Sequence, residues 1–369
     1  MRVLLLTDRL SARGGADWHL MQVVTSVAAA GAAVTVAYGR REDGGRLPGR
    51  VTGVTVRGLG SPVADGSRLG RLARLLEGCD VVHVQNVMNP VALRTAVATG
   101  RAVVTVQDHR VFCPGPGRTL PGGERCDRTT SRAACAECLP DAGYLERNLE
   151  LTRARLEALQ GARLVVLSSY MAAELAVAGL AGAEVIPPWF EPASERCGVG
   201  GAFLLGGRLV PHKGVMDAWA AWMAAGRPLP LRVAGEGSLA QRLDGAERLG
   251  WLGQEALRGE LQRARALLFP SFWQEPFGIL GVQALAQGTP VVVADNGGTG
   301  DWSDAGCIRV AAGDVEAMAG AVQRLVAEPT LALRLGLQGQ AMVAERFARR
   351  EIEPRLLGLY ENVQRGIRS

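Results

Sequence analysis

The chain has 369 residues, of which 48% are hydrophobic and 21% are charged. At roughly 100–200 residues per domain, this length predicts two domains or one large one, and the composition excludes collagen-like, low-complexity and disordered proteins. No apolar run is long enough for a membrane-spanning helix, and the apolar stretch after Met1 is too short for a signal peptide. We therefore expect a cytoplasmic protein whose seven cysteines stay reduced.

The net charge of +5 is unevenly distributed along the chain. Residues 1–190 carry 22 basic and 17 acidic residues, whereas residues 191–369 carry 19 of each. The excess indicates either a solvated arginine-rich surface or attraction of the first domain to an anionic acceptor or to a membrane face as a peripheral contact. We find no polybasic cluster that would favour nucleic acid as a partner.

Short apolar, β-branched runs alternate with helical patterns through the first half of the chain. Because the runs are continuously hydrophobic, they are typical of parallel strands buried on both faces of a doubly wound sheet. Helices are predicted between most of them, for example Asp17–Ala30 and Gly143–Leu159. The predicted strands are Arg2–Asp8, Ala33–Tyr38, Val54–Arg57, Asp80–Gln85, Ala102–Gln107, Arg163–Ser168 and Glu184–Ile186.

A stretch rich in proline and glycine, from Pro187 to Gly201, lacks periodicity and is predicted to link two domains. The alternation then restarts, and it ends in three helical segments. We therefore predict an α/β protein with two Rossmann-like, doubly wound domains that face a cleft, in residues 1–190 and 191–350, followed by a helix in residues 351–369. The later strands are predicted at Phe203–Leu205, Leu231–Ala234, Leu249–Leu252, Ala266–Pro270, Pro290–Ala294 and Cys307–Val310, and the helical segments at Val315–Ala327, Thr330–Phe347 and Ile352–Ile367.

The loop from Gly206 to Gly214 lies between a predicted strand and a predicted helix. Its glycines let the backbone approach a ligand closely, and the following helix N-terminus favours an anion. Arg208 and Lys213 add two cations that can donate hydrogen bonds to phosphate oxygens. Lys213 is the one lysine among the 41 basic residues, so a diphosphate contact is favoured over an ordinary loop with surface cations.

A second motif, Glu275 to Gly281, follows another predicted strand and a short loop. Pro276 suits the first turn of a helix, and the free N–H groups of Phe277, Gly278 and Ile279 could then face a ligand. Glu275 could accept hydrogen bonds from sugar hydroxyls, or it could simply cap the helix electrostatically.

Two glycine-containing loops also follow predicted strands, Arg13–Ala16 after the first strand and Asp295–Gly300 in the second half. Each either brings backbone amides to a ligand or is only a turn. His19 and His83 are predicted to be structural.

These motifs, in this order, resemble the retaining glycosyltransferases of family 4, which have the GT-B fold. The resemblance covers nearly the whole chain. It implies transfer of a sugar from a nucleotide-diphosphate sugar, UDP- or GDP-linked, to a glycan, glycoconjugate or small-molecule acceptor, with retention at the anomeric carbon and no catalytic metal ion. It also implies that the final helix returns to the first domain. The segments that carry the resemblance are Gly207-Arg208-Leu209 with Lys213-Gly214, Phe269-Pro270-Ser271 with Glu275-Pro276-Phe277-Gly278, and Gly288-Thr289-Pro290-Val291-Val292.

By this resemblance, Arg208 and Lys213 would neutralise the departing diphosphate and Glu275 would hold the donor sugar. Each fixed cation could contribute about 3–4 kcal/mol to the transition state, by analogy with a single oxyanion donor. The remaining contacts to the donor would come from Gly14, Gly15, Gly207, Phe277, Gly278 and Ile279.

The chain departs from the family pattern at two places. Gln283 stands where the family has a glutamate that holds the ribose, and Gln107 stands where it has a histidine near the donor sugar. Asp108 keeps its alignment, and His109 could replace the missing histidine if the strand end bends. Gln283 leaves open a non-catalytic sugar-nucleotide-binding partner of a glycan assembly system, and another GT-B-type enzyme such as an epimerase or phosphorylase is a third alternative.

A loop rich in glycine and proline carries four thiols between residues 113 and 138. Such a loop cannot form its own hydrophobic core. A structural zinc ion held by four cysteines would cross-link the loop and stabilise it. Unligated thiols, a disulfide and an iron–sulfur cluster are the alternatives, and Cys79, Cys197 and Cys307 are read as small buried hydrophobic residues. The candidate ligands are Cys113, Cys126, Cys135 and Cys138.

Overall fold

The computed structural model describes residues 1–42, 44–194 and 199–366. These residues form two compact units. The first comprises Met1–Pro121, Cys126–Pro187 and the chain from Ile352 onward, and the second comprises Gly122–Arg125 and Pro188–Glu351. Each unit has its own parallel sheet and its own hydrophobic core.

The first unit is built on a seven-stranded sheet in which every pair is parallel. Its strands are β1 (Arg2–Leu10), β2 (Ala33–Arg41), β3 (Thr52–Thr55), β4 (Val81–Gln85), β5 (Ala102–Val106), β6 (Arg163–Val166) and β7 (Glu184–Val185). They lie in the order β3-β2-β1-β4-β5-β6-β7, so the chain crosses over between β3 and β4. The central strands are buried on both faces, as their unbroken Val and Leu runs require.

Six helices of the first unit connect these strands: α1 (Gly15–Ala29), α2 (Gly70–Glu77), α3 (Pro90–Val97), α4 (Arg132–Cys135), α5 (Ala142–Ala158) and α6 (Ser169–Val177). Several begin at a side chain that accepts hydrogen bonds from the first amides. Asn89 accepts from Val91 and Ala92, and Ser168 accepts from Met171. These local signals fix where the helices start.

The second unit has a six-stranded parallel sheet. Its strands are β8 (Ala202–Gly206), β9 (Leu231–Ala234), β10 (Glu247–Gly250), β11 (Ala264–Phe269), β12 (Val291–Ala294) and β13 (Cys307–Val310), in the order β10-β9-β8-β11-β12-β13. Its helices are α7 (Val215–Ala224), α8 (Gln254–Arg263), α9 (Ile279–Ala286), α10 (Val315–Ala327) and α11 (Pro329–Arg346). In both sheets the loops that follow the strands gather at the carboxyl edge, where ligands of such folds bind.

The last helix, α12 (Arg349–Gln364), packs on the first unit. The Tyr360 hydroxyl is hydrogen-bonded to Nδ1 of His83 on β4, and Ser26 on α1 is hydrogen-bonded to Glu353. The predicted helix ran to Ile367, which lies outside the described residues, as does Cys197. Nowhere in the described ranges is a helix both long and apolar enough to cross a membrane.

The predicted fold class is confirmed, since both sheets are parallel and doubly wound. The strand ends differ by a few residues. β1 continues to Leu10 because Arg9 and Leu10 still pair with β2. β10 lies two residues earlier than predicted and ends at Gly250, whose φ of +66° is incompatible with an extended strand.

Candidate functional site in the second unit

The loop after β8 contains two glycines with positive φ angles, which other residues adopt only with strain. Gly207 has a φ of +107° and Gly214 a φ of +64°. A Cβ on Gly214 would lie 1.9 Å from the Pro270 carbonyl oxygen, so the loop after β8 presses directly on the end of β11. This contact brings the basic loop beside the segment that carries Glu275.

Lys213 and Glu275 form an ion pair at the meeting point of these two loops. Lys213 Nζ lies 2.6 Å from Glu275 Oε1, and the Glu275 side chain is only 7% exposed. Lys213 Nζ also lies 4.5 Å from the centroid of the Trp273 ring, as in a cation–π contact. The ammonium group is therefore held between a buried carboxylate and an aromatic face.

Arg208 and His212 add positive charge next to this ion pair. The His212 pKa is lowered by burial and then by the charges of Lys213 and Arg208, which places all three side chains in one electrostatic environment. The Arg208 side chain is exposed and forms no ion pair or hydrogen bond with the part of the chain that the structure describes. Its guanidinium is therefore available to an anionic ligand.

The structure corrects the predicted helix start in this region. The helix was expected to begin near Pro276, but α9 begins at Ile279, and Gly278 adopts a left-handed conformation with a φ of +86°. Glu275 therefore precedes the helix by a full turn and does not cap it. Phe277 is 1% exposed and its carbonyl accepts a hydrogen bond from Trp302 Nε1 at 2.6 Å, so its side chain belongs to the core.

The loop after β12 contacts the backbone of the Glu275 segment and fixes its position. The amide of Gly298 donates to the Glu275 carbonyl, and a Cβ on Gly297 would lie 2.6 Å from that same oxygen. Asn296 donates to the carbonyls of Ser271 and Phe272. The predicted ligand-facing loop Asp295–Gly300 thus fixes the position of the Glu275 segment.

Gln283 lies on α9, where its Nε2 donates to Gln254 Oε1 on α8 at 2.9 Å. The side chain is half-buried. A neutral amide paired with a second neutral amide brings no charge to this position, in contrast to the carboxylate of the family pattern.

In the first unit, the Gly14–Gly15 loop joins β1 to α1. Gly14 precedes the helix with a φ of +119°, and a Cβ there would meet nothing within 4 Å. Arg9 stabilises the loop, because its guanidinium pairs with buried Asp17 at 3.1 Å and donates a hydrogen bond to the Arg13 carbonyl. The loop is open on the side where a ligand would approach the helix N-terminus.

Asp108 and His109 follow β5 but have different surroundings. Asp108 accepts hydrogen bonds from the amide and the guanidinium of Arg110, whose charge lowers the Asp108 pKa against the opposing effect of burial. His109 is 1% exposed, and its Nε2 lies 3.0 Å from the Tyr170 hydroxyl. The strand end does turn into a short 3-10 helix, but this turn buries the imidazole against Phe112 and Tyr170.

The thiols of the cysteine-bearing loop are all free and half-buried. Burial raises the pKa of Cys135 and of Cys138, and the neighbouring thiols of Cys113 and Cys126 add to this effect. Among the described residues, no group of three or more histidine, cysteine or acidic side chains is arranged to hold a metal ion. The structure therefore gives the predicted zinc site no support, although the four thiols occupy one neighbourhood.

Sequence reasoning missed two contributors to the second-unit site. Trp273 stacks on Lys213, and Gln274 is 3% exposed and donates to Asn296 at 2.7 Å. Both lie in the loop directly before Glu275, so their proximity to that residue was the available signal. The family resemblance placed Lys213 and Glu275 at the same donor, but no local pattern indicated that Trp273 would lie against Lys213.

Comparisons with known proteins bear on the whole chain and on its second unit. Residues 201–328 match the family model of glycosyl transferases group 1. A glycogen synthase of Mycobacterium tuberculosis is 33% identical over 193 residues, which is 48% of this chain and 46% of that protein. An α-maltose-1-phosphate synthase of Mycolicibacterium smegmatis is 30% identical over 42% of this chain and 46% of that protein. The match thus spans about half the length of these curated relatives.

Solved structures resemble nearly the full chain in fold. Sucrose-phosphate synthase from Thermosynechococcus elongatus aligns with a TM-score of 0.71 at 19% identity, over 98% of both chains. Anabaena HepE in complex with UDP-glucose aligns with a TM-score of 0.71 at 16% identity, over 98% of this chain and 100% of that one. Arg208, Lys213 and Glu275 all lie inside the matched family segment. Residues 201–328 are thus similar to the group 1 glycosyltransferases, and the chain shares the GT-B fold of these solved structures.

Proposed function

We propose that the protein is a glycosyltransferase that moves a sugar from a nucleotide-diphosphate sugar to an acceptor hydroxyl. The observation that carries this proposal is the 2.6 Å ion pair between Lys213 and Glu275, with the unpaired Arg208 beside it, inside the segment matched by the family model. The glycogen synthase and maltose-1-phosphate synthase relatives are matched over 46% of their length, and their names fit this class of reaction.

The proposed chemistry follows from the charges at the site. The bond between the anomeric carbon and the β-phosphate oxygen breaks, and its electron pair leaves with the nucleoside diphosphate. Arg208 and Lys213 stabilise the negative charge that develops there, as preorganised cations do for a departing anion. Glu275 holds the Lys213 ammonium in place with one carboxylate oxygen and accepts a hydrogen bond from a sugar hydroxyl with the other.

Retention and independence of a metal ion complete this proposal. The acceptor oxygen bonds to the anomeric carbon on the face that the diphosphate leaves, and the hydroxyl proton passes to the departing phosphate oxygen. No carboxylate nucleophile is needed for such a same-face reaction. The two cations would supply the charge stabilisation that a divalent ion provides in other transferases.

The proposed donor is a UDP- or GDP-sugar. HepE, which shares the fold, was solved with UDP and with UDP-glucose. The donor ribose would meet the neutral Gln283–Gln254 pair, and the diphosphate would contact the backbone at Gly207, Gly278 and Ile279. We place the acceptor, a glycan, glycoconjugate or small molecule, against the first unit.

Contacts from the first unit are part of the same proposal. The Gly14–Gly15 loop is proposed to bind an anionic group, because it leads into a helix N-terminus that has no side-chain cap. Asp108 keeps a partly exposed carboxylate at the carboxyl edge of its sheet, where it could accept a hydrogen bond from the acceptor. His109 would act through the position of its turn, since its ring is buried.

The test is a transfer assay with UDP- and GDP-sugars and a panel of hydroxyl acceptors, read by mass spectrometry, with product configuration read by NMR. Glycoside formation by the wild type that falls at least 100-fold in Arg208→Ala and stays unchanged in Arg334→Ala would support the proposal. Arg334 is the matched control, because it is an exposed cation of the same unit on α11. Nucleotide binding without transfer to any acceptor would instead favour the non-catalytic sugar-nucleotide-binding partner, for which Gln283 is the motivating residue.

A further inference from the structure

A second concentration of cations lies in the first unit, around a cavity of about 460 Å³. The cavity opens beside the end of β3 and the start of α2. Three of its lining residues are arginines and none is acidic; the lining consists of Thr55, Val56, Arg57, Arg68 and Arg71. We call this feature the arginine pocket.

The three arginines of the pocket are not neutralised by the protein. None of the three guanidinium groups forms a hydrogen bond or an ion pair within the described part of the chain, and all three residues are exposed. Asp65 feels the charge of Arg68, but its pKa is lowered mainly by hydrogen bonds from Ser67 and only last by that charge. Other surface arginines of this unit, such as Arg2 and Arg40, do have acidic partners.

The loop that carries these arginines is firmly attached to the unit. The Asn89 side chain donates to the carbonyls of Gly58 and Asp65 at 3.0 and 2.8 Å, and Arg155 donates to the Pro62 carbonyl at 2.8 Å. Leu69, next to Arg68, is buried in the core. The Cα positions of the arginines are therefore set before any ligand arrives, which reduces the entropy lost on binding.

The start of α2 adds a further positive potential to the pocket. Leu69 is the N-cap residue and offers no side-chain acceptor, and the first turn contains no acidic residue. The first amides of a helix have no acceptor within the helix, and acidic groups are normally favoured there. At this helix an arginine, Arg71, stands where an acid would be stabilising, so no acidic side chain of the first turn compensates the positive potential of the helix start.

We propose that the arginine pocket binds a phosphate group of a phosphorylated ligand. A tetrahedral phosphate offers several acceptor oxygens, which match three guanidinium groups lining one cavity and a helix N-terminus better than a single carboxylate does. The ligand is either a soluble phosphate ester or the phosphodiester headgroup of a lipid. The inference does not depend on the proposed transferase activity, because it concerns binding at residues that take no part in that chemistry.

The experiment measures binding of inorganic phosphate and of glycerol phosphate by isothermal titration, and sedimentation with phosphatidylglycerol vesicles against phosphatidylcholine vesicles. The variants are Arg57→Ala and Arg68→Ala. The matched control is Arg74→Ala, which removes the same charge from an exposed position of α2 outside the pocket. Lys213→Ala separates binding at the second-unit site from binding here.

Saturable binding of either soluble phosphate that weakens about ten-fold in both pocket variants, and less than two-fold in Arg74→Ala and Lys213→Ala, supports the proposal with a soluble ligand. Sedimentation with phosphatidylglycerol vesicles alone, with the same pattern among the variants, supports it with a lipid headgroup. The proposal is overturned if neither probe binds, if Arg74→Ala weakens binding as much as the pocket variants, or if only Lys213→Ala does so.

Discussion

The loops after β1 and β5 in the first unit differ from the loop after β8 in the second unit in how their cations are paired. In the first unit, Arg9 pairs with buried Asp17, and Arg110 pairs with Asp108. In the second unit, Lys213 is paired with Glu275 but Arg208 beside it has no partner among the described residues. The loops after β1 and β5 are therefore nearly neutral within themselves, whereas the loop after β8 keeps an unneutralised positive charge. This difference indicates which unit supplies the charge for a diphosphate, and the following predictions test it.

The largest expected effect is that of Lys213→Ala. Removing the ammonium deletes one of two cations and leaves Glu275 buried without its partner, so kcat/KM for transfer should fall about 100- to 1,000-fold, as when one oxyanion donor is lost. Steady-state kinetics of the variant measures this effect. Arg9→Ala is the comparison, because it removes a cation that is already paired, and a larger loss in Arg9→Ala would reverse our assignment of these loops.

The geometry of the basic loop is tested by Gly214→Ala. A Cβ would lie 1.9 Å from the Pro270 carbonyl oxygen at a φ of +64°, so the variant should lose about 2–3 kcal/mol of unfolding free energy. Gly226→Ala is the control, because it has a φ of +84° with nothing within 4 Å of the added atom, and it should lose only about 1 kcal/mol. Urea denaturation measures both values, and equal losses would mean that the loop is not pressed against β11.

The core of the first unit should make the protein sensitive to acid. Burial lowers the pKa of His83 to about 3 and that of His19 to about 4. Both rings are neutral in the folded state and take up protons near pH 6.5 once unfolded. The free energy of unfolding therefore has its full value above pH 6.5. It falls as the pH drops toward 4, by up to about 1.4 kcal/mol per pH unit for each ring, because only the unfolded chain binds these protons.

Unfolding free energies measured between pH 7.5 and pH 4.5 check this slope. The variant His83→Gln removes one of the two groups and should flatten the pH dependence. An unchanged slope in that variant would show that His83 is not protonated on unfolding in this range.

The smallest expected effect is that of Gln283→Glu. A carboxylate restores a charged acceptor for ribose hydroxyls, and a hydrogen bond to a charged group is stronger than one to a neutral amide. We expect donor affinity to rise about three- to ten-fold with little change in kcat. Titration with the donor nucleotide measures it, and Gln254→Glu, on the other side of the same hydrogen bond, is the control that should not improve binding.

The sequence predicted the two-sheet architecture because parallel strands buried on both faces leave unbroken runs such as Val3–Leu6 and Val291–Ala294. It also singled out Arg208, Lys213 and Glu275, which the structure brings to one edge of one sheet. The fold was predictable because its signals are local in the chain, whereas the roles of these three residues stay a prediction.

Other features depend on contacts between distant segments and could not be predicted. The left-handed Gly278, which delays the start of α9, is set by its packing against Trp302. The burial of His109 follows from its contact with Tyr170, 61 residues away. A strand-end histidine is equally compatible with an exposed ring, so no local pattern distinguishes the two outcomes.

The most direct test of the central claim is a titration of UDP and GDP into the wild type and Lys213→Ala, followed by thermal unfolding. At 100 times its dissociation constant, a nucleotide adds about 2.7 kcal/mol, which raises the Tm by several degrees. We expect one of the two nucleotides to stabilise the wild type strongly and Lys213→Ala hardly at all. Equal stabilisation of both proteins, or none in either, would contradict the assignment of the diphosphate to Lys213 and Arg208.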